Sequence, residues 1–368
     1  MTEPPALQQI DRTYVLYGRK KLSYFSGCDY FRLSSHPAVL QALRDGVDEF
    51  GLNVAASRST TGNHKLYLEL EKSLGDFFNV DAATLVSSGY IANLAVAQAL
   101  AGQVSHALID ERAHASLMDA ADCLSCPVVR FRHRDADHVA SILGVIGSQS
   151  RPIILTDGMF SHDGSVPPLG GYLESLPADG LLLLDDAHAA GVLGEKGRGT
   201  AQYLGLATDR MIQTITLSKA FGVYGGAVLG PSGLRKQIVE RSRIFTGNTP
   251  MPLPLASAAL QSVRILKTNR SLRNRLTANV RYVKEQLWKM RYPAAVTPSP
   301  IIALLPRDRD EIDLLNRFLL AQGIYPPLIH YPGGPSTGYF RFALCSEHTR
   351  EQLDNLLTAF RGFQNRRN

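Results

Sequence analysis

Lys219 sits in the turn of TITLSKAFGVYGGAVLG, residues 214–230, between a β-branched run (Ile212, Thr214, Ile215, Thr216) and the apolar run Gly225-Gly226-Ala227-Val228-Leu229. Burying an ammonium between two strands costs several kcal/mol unless it is paired or neutralised. Two readings meet that constraint. Either the lysine snorkels out of the turn into water, or it forms an imine, as a desolvated lysine of lowered pKa does when it serves as a nucleophile. Other reactive residue types fall at comparable places. LLLLDDAHAAG, residues 181–191, ends a four-leucine run on Asp185 and places His188 three positions later. A carboxylate at the end of a buried strand needs a cation or a proton donor to stay ionised. Ser87-Ser88-Gly89-Tyr90 is a small-residue turn opening a helix. Free backbone N–H groups and the helix dipole can hold a phosphate there. His114 follows another strand end, and the polar, glycine-bearing loop TDGMFSHDGS, residues 156–165, carries Ser161.

A structural ion pair accounts for one acid. It does not account for a carboxylate, a histidine and a turn lysine at one end of one sheet. A pyridine ring does, because pyridoxal 5'-phosphate (PLP) needs a lysine for its aldehyde, a carboxylate to keep its ring nitrogen protonated, and a phosphate cradle.

The elements that must position these residues are legible as alternating strands and helices. Strands are expected at 83–87, 106–110, 128–132, 152–156 and 181–184, with helices at 67–78, 91–100, 115–123 and 136–146. Continuous apolar strands that alternate with helices imply a mostly parallel sheet flanked by helices in a large α/β domain. Ligands of such sheets bind beyond the carboxyl ends of the strands, where the reactive residues fall. Before this domain, an irregular arm leads to a helix over 38–50, capped by the serines of Ser34-Ser35-His36-Pro37. A polar stretch, NVAASRSTTGNHK at 53–65, is too long for an idle turn. After Gly230 come a helix at 234–243, the proline-rich loop GNTPMPLP, and a helical stretch over 256–288 with a break near Asn269. Strand, helix and strand pieces around 301–305, 311–322 and 339–344, with a last helix at 349–363, make a smaller C-terminal α+β domain. The expected division is therefore an N-terminal arm and helix at 1–45, a PLP-binding α/β domain at 46–255 and a small domain at 256–368.

Composition removes several classes of function. The 368 residues carry a net charge of +6, spread along the chain, without the basic runs and interleaved aromatics of a nucleic-acid groove. No apolar run is long enough to span a bilayer and no signal-peptide core opens the chain, so a cytoplasmic location is expected. Cys123 and Cys126 form a CxxC with no second pair or histidine cluster at zinc spacing, so they are expected to pack as small apolar residues, with no metal site.

SGYIAN, DERAHASL, DGMFSHDGSVPPL, LDDAHAAGVLGEKGRG and TLSKAFGVYGG, in that order and at comparable spacing, resemble the motifs of the α-oxoamine synthases, which are fold-type-I PLP-dependent transferases. The resemblance runs from about Ser23 to the C-terminus. It implies that Lys219 forms the internal aldimine and shuttles the α-proton, that Asp185 pairs with the pyridinium nitrogen, and that His188 hydrogen-bonds the ring hydroxyl. His114 would stack on the ring face, with Ser161 also reaching the hydroxyl. Gly89, Tyr90 and Thr216 would hold the phosphate, with Ser218 a weaker candidate and Thr249 reaching it from the other subunit. Arg341, in YFRFALCSEH, matches the arginine that grips the substrate carboxylate. The implied reaction is decarboxylative condensation of an amino acid with an acyl-CoA, or an acyl carrier thioester, by a homodimer. Three departures bear on the substrate. Cys28 stands where the family usually has Asn to seat the amino acid, Tyr67 replaces a common His, and LNVAAS at 52–57 lacks the usual glycines before Arg58. They leave open a PLP-dependent aminotransferase or retro-aldol lyase on the same fold. A pseudoenzyme subunit is disfavoured by the joint retention of Lys219, Asp185 and His188.

Overall fold

The computed structural model describes residues 5–292, 297–330 and 335–367; the expected outer domain limits, at residues 1 and 368, lie outside the described residues. The chain divides into two compact units. One holds residues 33–161 and 165–270, and the other holds the preceding residues, 162–164 and the chain from Ser271 onward.

In place of an irregular arm, the chain opens with an antiparallel meander, β1 (Gln8–Ile10), β2 (Tyr14–Tyr17) and β3 (Lys20–Ser23). Asp11 and Arg12, both at positive φ, make its first turn and Gly18 its second. Val15 and Leu22 face inward. Strands of three or four residues are too short for alternation to stand out in a sequence.

The larger unit begins with α1 (Pro37–Phe50) and α2 (Lys65–Phe78). Histidines cap both helices, where serine was expected at the first. His36 Nδ1 accepts the Ala38 N–H and His64 Nδ1 accepts the Leu66 N–H, with Pro37 opening α1. Then follow β4 (Ala82–Val86), α3 (Gly89–Leu100), β5 (His106–Asp110), α4 (Ala115–Cys123), β6 (Val128–Phe131), α5 (Ala136–Ile146), β7 (Pro152–Asp157), α6 (Leu169–Ser175), β8 (Leu181–Asp185), α7 (Thr200–Leu204), β9 (Met211–Thr216) and β10 (Gly226–Gly230). The unit ends with α8 (Ser232–Arg241), α9 (Arg243–Thr246) and α10 (Leu253–Thr268).

Its seven strands lie in the order β4-β10-β9-β8-β7-β5-β6, and β10 alone runs antiparallel to its neighbours. Successive residues feed opposite layers. Ile153, Leu155 and Leu183 pack with α3 and α4, while Ile154, Leu182 and Leu184 pack with α5 and α6. Both faces are covered, so each such side chain contributes about 1.5–3 kcal/mol of apolar burial. The strands are held rigidly, and the residues at their carboxyl ends inherit that rigidity.

The smaller unit is completed by α11 (Arg270–Lys289, from Ser271 on), β11 (Ile301–Leu304), α12 (Arg309–Ala321), β12 (Leu328–Ile329), β13 (Tyr339–Ala343) and α13 (Arg350–Arg367). Its antiparallel sheet runs β11-β13-β12. The helix break expected near Asn269 is present, with the Asn269 N–H closing α10 onto Ile265 O.

Candidate active site

Lys219 lies in the turn from β9 to β10, which is closed by backbone hydrogen bonds from Leu217 N to Gly225 O (2.9 Å), Val223 N to Leu217 O (2.8 Å) and Gly222 N to Lys219 O (2.9 Å). Ala220 and Phe221 on one side and Leu217 on the other are buried, so the lysine is half-buried while Ser218 is exposed. Gly222 has φ +66°, and a Cβ there would stand 2.3 Å from Ser34 N, so the turn closes down on the short 3-10 helix at Leu33–Ser35 only because this residue is glycine.

The expected phosphate turn meets the same strand ends. Ser88 caps α3 by accepting the Ile91 N–H at 3.3 Å. The first-turn N–H groups of Gly89 and Tyr90 have no acceptor within the helix. A Cβ on Gly89 would lie 2.8 Å from Thr216 Cβ, so glycine lets the helix N-terminus approach Thr216. Thr216 Oγ1 donates to Gly225 O at 3.2 Å and accepts the Ser218 N–H at 3.2 Å. The structure therefore brings Gly89, Tyr90 and Thr216 together. The Tyr90 hydroxyl donates to the Asp119 carboxylate, which pushes the phenol pKa up. Thr249 is exposed and lines a small pocket with Ser87, Ile91 and Asn248, whose side-chain amide donates to Ser87 Oγ at 2.9 Å.

Beside this turn, Asp157 and Asp185 end adjacent parallel strands in register. Asp185 is 7 % exposed; its Oδ1 accepts the Ala187 N–H at 3.0 Å and its Oδ2 the Asn93 amide at 2.6 Å. Asp157 accepts the His114 N–H at 2.9 Å. Burial, then the charge of Asp185, hold the Asp157 carboxyl well above the usual range, against the pull of the Lys219 ammonium. Asp186 points the other way. It accepts from Thr200 N–H (2.9 Å), Thr200 Oγ1 (2.6 Å) and Gln213 Nε2 (2.6 Å), and burial raises it to about 6.

His114 is the N-cap of α4. Its Nδ1 accepts the Ser116 backbone N–H at 3.2 Å and lies 2.8 Å from Ser116 Oγ, which places the proton of the neutral ring on Nε2. Burial and the Lys219 charge lower its pKa, opposed by Asp185 and Asp119. The Tyr90 ring meets it edge-on at 6.1 Å. His188 is buried in the turn that follows β8, and Ser161 in the loop that follows β7.

The smaller unit brings the two expected substrate residues together. Arg341, half-buried on β13, donates from Nη2 to Cys28 Sγ at 3.2 Å. Tyr67 is fully buried in the larger unit, where its hydroxyl donates to Met251 O at 2.6 Å and burial lifts its pKa to about 12. Arg58 pins the polar stretch, donating to Asn63 Oδ1 at 2.8 Å and to the buried Glu71 at 3.1 Å. Cys123 and Cys126 are free thiols packed against the core, and among the described residues no cluster of His, Cys, Asp and Glu could hold a metal. Among the described residues, no helix is long and apolar enough to cross a membrane.

Three residues of the site were not singled out by sequence reasoning: Asn93, Asp157 and Ser116. Asn93 carried a signal, since only it and Gln98 interrupt the apolar run from Ile91 to Leu100. Asp157 ended a strand just as Asp185 did.

A strand-end carboxylate, a proton-holding histidine, a half-buried lysine and an open helix N-terminus suit a pyridine ring bearing a phosphate. Residues 27–360 match the family model described as aminotransferase class I and II. An 8-amino-7-oxononanoate synthase of Thioalkalivibrio sulfidiphilus (strain HL-EbGR7) is 36% identical over 348 residues, 94% of this chain and 88% of that protein. Among solved structures, serine palmitoyltransferase from S. paucimobilis with a bound PLP–myriocin aldimine superposes with a TM-score of 0.90 at 26% identity, covering 98% of this chain and 92% of the other. An 8-amino-7-oxononanoate synthase from Francisella tularensis gives a TM-score of 0.79 at 25% identity, covering 94% and 97%.

Proposed function

This chain belongs to the aminotransferase class I and II family, and within it to the α-oxoamine synthases, and from that premise we propose that it makes 8-amino-7-oxononanoate or a close analogue. It is a PLP-dependent acyltransferase that condenses an amino acid with an acyl thioester, releasing CO2 and the thiol and leaving an aminoketone. The product's name fixes the carbon count. Alanine keeps two carbons after losing CO2, so a nine-carbon amino-oxo acid needs a seven-carbon acyl group with a distal carboxylate. CoA or an acyl carrier protein would bear it.

The observation that carries this reading is that Asp185 is hydrogen-bonded through Asn93 and Ser116 to His114, while Lys219 follows β9, the strand paired with the one Asp185 ends. A carboxylate, an imidazole and an ammonium thus converge at one sheet edge. PLP, when bound, supplies an electron sink for the α-carbanion of the amino acid. Asp185 would keep the ring nitrogen protonated, and His188 and Ser161 would hold the ring hydroxyl. His114 would cover the ring face, and Gly89, Tyr90 and Thr216 would bind the phosphate, joined by Thr249 of the other subunit. Lys219 takes the proton from the α-carbon of the amino acid. Arg341, backed by Cys28, grips the substrate carboxylate, a task suited to a planar guanidinium. The assembly is a homodimer, and free thiols at all four cysteines fit a cytoplasmic location.

The test is a free-thiol assay on protein loaded with PLP, using a panel of amino acids and acyl-CoAs. Amino-acid-dependent CoA release with a nine-carbon aminoketone is expected. Amino transfer to a 2-oxo acid without CoA release would instead assign the chain to aminotransferase chemistry, a reading favoured only by the thiol at Arg341.

A further inference from the structure

Asn93 is fully buried on α3, one helical turn after Gly89, and all of its side-chain polar atoms are engaged. Thr214 Oγ1 lies 2.6 Å from Asn93 Oδ1, and Asn93 Nδ2 lies 2.6 Å from Asp185 Oδ2 and 2.9 Å from Ser116 Oγ. The carboxylate decides which way the amide faces, because turning it over would set an amide oxygen against a carboxylate oxygen at 2.6 Å. Each donor then follows in turn. Thr214 gives its hydroxyl proton to Asn93, and Asn93 gives one N–H to Asp185 and the other to Ser116. Ser116, already an acceptor, gives its own proton to His114 Nδ1 at 2.8 Å. The Ser116 backbone N–H reinforces that last link at 3.2 Å. Thr214 and Ser116 are both about 1 % exposed, so water does not compete for these bonds.

We infer that Asn93 is a positioning residue that ties Asp185 and His114 into one directed hydrogen-bond relay, fixing the carboxylate against the ring nitrogen and keeping the His114 proton on Nε2. The inference rests on the PLP reading above. Asn93 touches neither substrate nor cofactor and acts through the two residues it holds. Thr214 supports it, since without that donor the Asn93 amide oxygen is left buried and unsatisfied.

The test uses the PLP-loaded enzyme and the variants Asn93→Ala, Thr214→Val and Ser116→Ala. Each is read by the dissociation constant for PLP, the pH midpoint of the visible absorbance of the bound cofactor, kcat, and KM for the amino acid. Asn93→Ala is expected to lower kcat about tenfold to a hundredfold, with KM changed by less than about threefold, because a hydrogen bond to a charged acceptor is lost without touching substrate. It should also weaken PLP binding and move the absorbance midpoint. Thr214→Val, nearly isosteric, should shift the midpoint in the same direction, and the double variant should be no worse than Asn93→Ala. Ser116→Ala cuts only the branch to His114, so kcat should fall while the midpoint stays. Wild-type kcat, PLP affinity and spectrum in Asn93→Ala would overturn the inference, as would a loss confined to thermal stability. Should that variant fail to fold, an unshifted midpoint in Thr214→Val overturns it equally. A wild-type protein that binds no PLP would fail the functional reading itself, a result distinct from either.

Discussion

Asp157 and Asp185 are register partners at the carboxyl ends of neighbouring parallel strands, and both are almost shut off from solvent. Two buried carboxylates this close do not both ionise readily, and the arrangement separates their roles. Asp157 is the one driven upward, by burial and by the charge of Asp185. That upward shift favours its protonated form, and its Oδ2 accepts the His114 backbone N–H at 2.9 Å.

Asparagine mimics a protonated acid, so Asp157→Asn should keep kcat within about fivefold of wild type. Asp185→Asn removes the charge proposed to hold the ring nitrogen protonated and should lose on the order of a hundredfold or more. Steady-state CoA release from the two purified variants checks this. Equal damage from both would remove the division of roles.

A pH dependence of stability follows from Asp186. Its pKa is about 6 in the folded chain against 3.8 when unfolded, so the folded state holds the proton more tightly. The stabilisation is complete below 3.8 and is lost as pH rises through about 6. Relative to Asp186→Asn, which does not titrate, wild type should lose about 3 kcal/mol across that window. Denaturant melts of both proteins at several pH values measure the difference, and a constant offset would contradict it.

Most of the large sheet was legible because β7 and β8 are continuous apolar runs bounded by clear turns, and helices such as Ala115–Cys123 and Ala136–Ile146 have clean periodicity. The meander at Gln8–Ser23 was not, because its strands are short and its first turn uses Asp11 and Arg12 rather than glycine. The histidine caps were missed because the same ring can cap, pack or ligate, and only Nδ1 placed 3.2 Å from an N–H distinguishes these. At the site, Lys219 and Asp185 stood out as charged residues at the ends of apolar strands, and only their occurrence together with His188 separated an imine-forming lysine from one that snorkels out of a turn. Asn93 could not, since its role depends on Thr214, Ser116 and Asp185 arriving from three other elements.

Gly89→Ala tests the phosphate turn. The added methyl would stand 2.8 Å from Thr216 Cβ, so α3 must retreat from the strand end or Thr216 must move. Affinity for PLP should fall about tenfold or more, with a smaller drop in melting temperature for the PLP-free protein. Titration of the visible absorbance with added PLP gives the first quantity. Unchanged affinity would mean that this helix end does not bear the phosphate.

Tyr67, which the sequence resemblance sets against a histidine, has the surroundings of a structural residue. Its hydroxyl donates to Met251 O at 2.6 Å, and the Arg58 guanidinium lies 5.3 Å from its ring. Tyr67→Phe strands a buried carbonyl and should cost about 1–2 kcal/mol of stability. kcat should change by less than about twofold, a result read from melts and turnover on one preparation. A large kcat loss with intact stability would move Tyr67 into the chemistry.

The proposed substrate residues Cys28 and Arg341 meet directly. The Cys28 sulfur accepts from Arg341 Nη2 at 3.2 Å, a weak acceptor for a strong donor. If Arg341 grips the carboxylate of the amino acid, Arg341→Lys should raise KM for the amino acid about tenfold or more, because the bidentate fork is lost. Cys28→Asn should act oppositely. Its amide oxygen is a better acceptor for the guanidinium, and its N–H groups can donate to the same carboxylate, so KM should fall a few-fold with kcat little changed. The informative measurement is KM across a series of amino acids of increasing side-chain size for wild type and Cys28→Asn. A thiol is smaller than an amide and makes fewer directional demands, so wild type should lose less than the variant as the side chain grows. Parallel KM profiles would show that the thiol at this position does not set the choice of amino acid.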